Sequence, residues 1–120
     1  MLQYSQGRYI DMRDFISQIF LCMTNANLAK INLFIEENCL FINYDRTLLG
    51  KDKICNYIQD SIKNKEINHL SILNSLQEKR DTLLITYNAF TKHNTPPIYG
   101  SAIIRMKDNK INYIKNYIVK

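Results

Sequence analysis

Glycine and proline are scarce in this chain, at three and two among 120 residues. With an apolar fraction of 46%, eight tyrosines and five phenylalanines, that scarcity excludes a disordered or low-complexity chain and predicts a compact core. Cysteines are few and odd in number. Cys22, Cys39 and Cys55 show neither CxxC nor His-paired spacing and sit among apolar neighbours, which predicts buried thiols in a reducing compartment. Long hydrophobic runs are missing too. The longest apolar patch near the start, Phe15 to Met23, is short and interrupted, and Asp11 and Asp14 precede it where a signal peptide would be basic. Neither export nor a membrane anchor is therefore expected. The length suits one domain over residues 1–120.

The net charge of +5 raises the question of nucleic acid, since lysine and arginine neutralise phosphates. The lysines are dispersed, however, and no arginine cluster or glycine-rich basic run appears. Isoleucine, asparagine and lysine together exceed a third of the chain, the bias that A+T-rich codons impose on any protein. Direct nucleic-acid binding is not expected from such a pattern.

Apolar residues at Met12, Phe15, Ile16, Ile19, Phe20 and Met23 repeat at the helical period behind an Asp11 cap. A shorter helix is predicted from Asn27, with Leu28, Ile31, Phe34 and Ile35 on one side and Thr24 to Asn27 as the turn before it. From Asn38 the run Cys-Leu-Phe-Ile-Asn-Tyr reads as a strand. Leu49-Gly50-Lys51 then opens a third helix with Ile54, Tyr57, Ile58 and Ile62 on one face. The rest is strand-like: Ile67 to Gln77, Thr82 to His93, Ile98 to Lys107 and Ile111 to Val119, separated by short polar or proline-bearing turns. This order predicts an α+β fold, a curved antiparallel sheet with three helices packed on its concave face. Leu84 and Phe90 oppose Leu83, Ile85, Tyr87 and Ala89, while Tyr113, Tyr117 and Val119 oppose Ile114 and Ile118. Three helices cover only one face, so the other is expected to pack against a second subunit, with Tyr113 and Tyr117 in the interface.

Over about residues 12 to 119 this order resembles the nuclear transport factor 2 family and its wider cone-shaped superfamily. Asn38 to Tyr44 leading to Leu49-Gly50-Lys51-Asp52-Lys53-Ile54 resembles the family's first strand and glycine-started helix. Ile67-Asn68-His69 with Gln77 further on resembles the strand in which a histidine precedes a glutamine. Ile114-Lys115-Asn116-Tyr117-Ile118 resembles the closing strand. The superfamily hosts enzymes, lipid-binding pockets and transport factors, so the site residues must choose among them. Its isomerases and dehydratases often place an aspartate near the end of the first strand. This chain has Asn43 there, which cannot act as a base. The segments Ile67 to Gln77, Thr82 to Lys107 and Ile111 to Val119 contain no Asp or Glu. His69, Arg105 and tyrosines are the groups left for chemistry, with Tyr57 or Tyr87 as the donor beside His69. A lone strand histidine without an orienting carboxylate fits a structural polar group of the cavity better than a catalyst.

The resemblance therefore implies a non-catalytic nucleocytoplasmic transport factor without metal or cofactor, located in cytoplasm and nucleus including the nuclear pore. It would form a homodimer or a heterodimer with a related domain and bind phenylalanine-glycine repeats of pore proteins. Ile42, Asn43, Lys92 and His93 would meet a partner at the cavity mouth. The Ran carrier has Trp-Glu or Phe-Glu where this chain has Ile42-Asn43, and an acidic loop where it has Lys92-His93-Asn94-Thr95. Charge thus favours an mRNA-export receptor as partner, and family frequency favours Ran-GDP. The alternative is a cone-cavity enzyme or small hydrophobic ligand binder of the isomerase or cyclase type.

Overall fold

The computed structural model describes residues 11–25, 28–92 and 96–119. Helix α1 spans Met12–Thr24 and starts where expected, the Asp11 carboxylate accepting the Arg13 backbone N–H at 2.9 Å. Its apolar stripe is the reason it docks, since Met12, Phe15, Ile16, Ile19 and Cys22 are all buried. Helix α2 is short, Leu28–Phe34, and its Phe34 ring meets Phe15 edge-on at 5.0 Å between centroids. Strand β1, Ile35–Asn43, begins three residues before the strand-like run at Asn38, because Ile35 extends rather than closing the α2 stripe. A strand the sequence did not announce, β2 at Arg46–Leu49, folds back on β1.

Helix α3, Lys51–Asn64, follows Gly50, whose φ of 109° favours glycine and whose N–H donates to the Cys39 carbonyl at 2.9 Å. Strands β3 (Ile67–Lys79), β4 (Thr82–Thr91), β5 (Ile98–Lys107) and β6 (Lys110–Val119) then run antiparallel. The β5–β6 hairpin turns through Asp108 and Asn109, both left-handed at φ 52° and 64°. That pair is the chemistry a two-residue hairpin loop demands.

The six strands form one curved, unclosed sheet in the order β2-β1-β6-β5-β4-β3. Its β1–β6 pair is parallel, a departure from the purely antiparallel sheet expected. The three helices cover the concave face, and the core of Ile31, Ile35, Ile54, Leu83, Ile85, Ile104 and Ile111 lies between the layers. The C-terminal ends of β1, β4 and β6 and the N-terminal ends of β3 and β5 share one edge. That edge is the open end of the cone.

Candidate functional site

Alternation along the strands decides which side chains enter the cone. In β4, Leu83, Ile85, Tyr87 and Ala89 point inward; register carries the same face to Gly100, Ala102 and Ile104 of β5 and to Ile114 and Asn116 of β6. Helix α3 adds Tyr57, Ile58, Ser61 and Ile62 from the opposite wall, and Lys65, which caps its C-terminus, joins them. Between them lies a cavity of about 150 Å³. Isoleucines dominate its lining, with Phe20 and Met23 of α1 and Ile67 and Ile98 nearer the open edge.

Two hydrogen-bonded pairs set the polar chemistry. Asn43 is 7% exposed, and its Oδ1 accepts the Tyr44 backbone N–H at 2.9 Å. Its amide nitrogen therefore faces Tyr57 and donates to the phenol oxygen at 2.8 Å. Since that oxygen already accepts, the Tyr57 O–H proton is left to donate elsewhere. The Tyr57 ring is fixed by Phe41 at 5.3 Å and by the Arg46 guanidinium 5.0 Å from its centroid. In the second pair the Tyr87 O–H donates to Asn116 Oδ1 at 2.6 Å, leaving the Asn116 amide as a donor at the cavity wall. Phe20 stands edge-on to Tyr87 at 5.7 Å.

Gly100, directly across from Tyr87 on β5, makes this geometry possible. A Cβ there would lie 2.5 Å from the Tyr87 Cζ and hydroxyl and 2.9 Å from the Tyr117 carbonyl. Burial pushes the Tyr87 hydroxyl pKa up, against the bond to Asn116, and the neighbouring Tyr57 adds to the rise. Tyr87 therefore stays a neutral phenol over the ordinary pH range.

The expected site residues fare differently. Asn43 is inside, but as the positioning partner of Tyr57 rather than a partner-facing group. Ile42, its neighbour in the strand, pairs with Thr47 and Lys115 on the outer face, so the two do not form one surface. Lys92 is exposed at the open edge, where its N–H donates to the Glu66 carbonyl at 3.0 Å. His93 lies outside the described residues. The expectation that His69 is a polar group of the cavity is corrected. It is exposed on the outer face, its ring 5.8 Å from that of Phe90 with which it pairs, while the next residue, Leu70, turns inward. Tyr113 and Tyr117 also lie outward, under Arg105 and Lys115 at 4.9 and 5.5 Å.

Gly100, Ser61 and Lys65 were not singled out from sequence, and Asn116 entered only as part of the closing-strand resemblance, not as a site residue. Signals existed for each. A glycine inside a strand marks a close approach, Asn116 shares the inward alternation of Ile114, and Ser61 and Lys65 share the helical stripe of Ile58 and Ile62. Among the described residues no group of three or more His, Cys, Asp or Glu stands together to hold a metal, and no helix is long and apolar enough to cross a membrane.

No protein-family model and no curated protein matches the sequence. Solved structures do match the fold. A nuclear-transport-factor-2-like protein of unknown function from Cytophaga hutchinsonii superposes with a TM-score of 0.74 at 13% identity, covering 96% of this chain and 95% of its own. A candidate polyketide cyclase from Sinorhizobium meliloti gives 0.76 at 13% identity, covering 86% and 93%. A candidate ketosteroid isomerase from Kribbella flavida gives 0.75 at 9% identity, covering 90% and 77%. The chain thus has the cone-shaped nuclear-transport-factor-2-like fold.

The expectation of a non-catalytic protein is overturned by these neighbours, two of which are named for enzyme activities. The transport reading, with its pore repeats, its Ran-GDP or export-receptor cargo and its nuclear location, draws no support from them.

Proposed function

We propose that this protein takes a small apolar compound bearing a carbonyl or hydroxyl oxygen into the cone and promotes an isomerase- or cyclase-type rearrangement of it. The observation that carries this reading is the apolar cavity of about 150 Å³ into which Tyr57 and Asn116 offer hydrogen-bond donors. A cavity of that size lined by aliphatic side chains holds a molecule of roughly one benzene ring. Donors held rigid in such a place stabilise negative charge developing on a ligand oxygen, because no water must reorganise around it. Enzyme-named neighbours of the same fold support the class of chemistry.

The lining also sets a limit. No described residue on the cavity wall is a carboxylate or an imidazole, so the chemistry it favours is polarisation of an oxygen rather than proton abstraction by a side-chain carboxylate. Titration of the purified chain with small cyclic ketones and with hydrocarbons of the same shape tests the reading. Ketones should bind more tightly, and Tyr57→Phe should weaken them by about three- to tenfold, the worth of one neutral hydrogen bond. Any turnover found should lack a pH inflection near a carboxylate value of about 4. Absence of saturable ketone binding, or indifference to Tyr57→Phe, would sink the proposal.

A further inference from the structure

The mouth of the cavity differs from its interior. Along α3, Ile58, Ser61, Ile62 and Lys65 fall at the three- and four-residue spacings that put side chains on one helix face, and all four line the cavity. Lys65 follows the last residue of the helix and is exposed, its N–H donating to the Ser61 carbonyl at 3.1 Å. Ser61 and Lys65 therefore stand one turn apart on the lining face, Lys65 where that face meets solvent. Among the described residues Lys65 is also the one charged residue in the lining.

Two more lysines stand at this edge. Lys63 lies in the last turn of α3, and Lys92 is tied to the same edge through the Glu66 carbonyl. Against them this edge sets Glu66 and the partial negative charge of the helix C-terminus, which Lys63 and Lys65 offset. Among the described residues no carboxylate pairs with Lys65.

We infer that the ligand of this cone is an apolar monocarboxylate whose body fills the cavity and whose carboxylate meets the Lys65 ammonium and the Ser61 hydroxyl at the mouth. This rests on the reading of the cone as the ligand site and adds a charged end to that ligand. A body of about six to eight carbons suits the space, by comparison with a cavity of similar volume that accepts benzene. The opposite arrangement, a cationic ligand, would place like charges at the rim, and a neutral one would leave Lys65 without a role.

Octanoate, octanol and octylamine share one apolar body and differ at the head, so calorimetric titration of the full chain with each separates the contributions. At low salt octanoate should bind on the order of fivefold tighter than octanol, the scale of a solvent-exposed ion pair, and octylamine should bind weakest. The preference should shrink as ionic strength rises from about 0.01 to about 1 M. Lys65→Met, a change at an exposed position, should bring octanoate to the level of octanol while leaving octanol within about twofold, and Lys65→Glu should reverse the order. Equal binding of octanoate and octanol, or a preference that survives Lys65→Met, overturns the carboxylate inference and leaves the cone reading standing. Failure of all three probes to saturate overturns both.

Discussion

One set of strands builds two faces of unlike finish. Inside the cone Leu83, Ile85 and Ala89 are at most 3% exposed, and the Asn43–Tyr57 and Tyr87–Asn116 pairs each place a polar group against another. Outside, the alternate residues of the same strands leave Phe90, Tyr99 and Tyr117 between 38% and 47% exposed. The buried Asn88 carries an amide oxygen without a hydrogen-bond partner. Burial and pairing go together on the inner face because an unpaired polar group there would forfeit its hydration for nothing. Most of the outer face meets no such demand, since water and long cationic side chains over tyrosine rings serve it; Asn88, buried there with its amide oxygen unpartnered, is the exception.

Neighbouring residues of β5 break the comparison most sharply. Ile104 is buried at 4% exposure on the inner face, whereas Ile103 is only half-buried in the outer groove with Leu84 and Tyr117. Ile104→Ala should lower the unfolding free energy by about 2–4 kcal/mol, and Ile103→Ala by less than about 1.5 kcal/mol. Urea titration of the two variants side by side measures both. Comparable losses would mean that the outer groove is packed like a core.

Gly100→Ala should come next. The added Cβ would stand 2.5 Å from the Tyr87 ring end and hydroxyl, and the Tyr117 carbonyl on its other side leaves little room to yield. Overpacking of this kind costs about 1–3 kcal/mol, and Tyr87 would be displaced from Asn116. Thermal melts should show the loss, and ketone binding should fall with it. A variant as stable as the parent would mean that the inner wall is more pliant than its hydrogen bonds suggest.

Alkaline pH tests the inner side by titration. Burial raises the Cys39 thiol pKa to about 12, with nearby Glu36 and Cys55 adding to the rise. A group that holds its proton more tightly when folded contributes its full stability below the unfolded thiol range. That stability is lost as pH rises from about 9 towards 12. Its loss amounts to at most about 1.4 kcal/mol per pH unit. Cys39→Ala should be less stable than the parent near neutrality yet show a flatter decline in that window, read from melting temperature against pH. An unchanged slope would assign the alkaline loss to other groups, Tyr87 first among them because burial raises it in the same sense.

The sequence made much of the fold legible and less of the site, for physical reasons. α1 and α3 carry a helical stripe with a cap or a glycine before it, and β3 to β6 carry alternation bounded by turn residues; such local signals survive into the structure. β2 is four residues long and largely exposed, so it has no alternation to read, and its existence depends on β1 lying beside it. The parallel pairing of β1 with β6 joins residues some seventy positions apart and leaves no mark in either strand alone. Tyr57 and Tyr87 stood out as possible donors, but their partners Asn43 and Asn116 reach them only through the register of the sheet and the docking of α3. His69 misled for the same reason. Between Ile67 and His69 the β3–β4 register shifts, so counting alternate residues from the start of the strand assigns the wrong face.

The smallest expected effect concerns the outer face itself. Tyr117 is 45% exposed in the outer groove, with the Lys115 ammonium 5.5 Å from its ring centre, so in an isolated chain Tyr117→Ser should cost no more than about 0.5–1 kcal/mol. If a second subunit packs here, as the apolar outer positions Leu84, Phe90, Tyr113 and Tyr117 led us to expect, the same substitution removes area from an interface. Its cost should then grow with protein concentration, because association stabilises the folded chain by mass action. Sedimentation equilibrium of parent and variant, with urea titrations at low and high concentration, reads both quantities. A parent of dimer mass whose Tyr117→Ser variant shifts towards monomer would give the outer face a partner of its own kind. A parent that stays monomeric at tens of micromolar, an ordinary range for specific association, with a small and concentration-independent cost of substitution, would leave the outer face solvated. The contrast between the two faces would then be one between a built pocket and a wet surface.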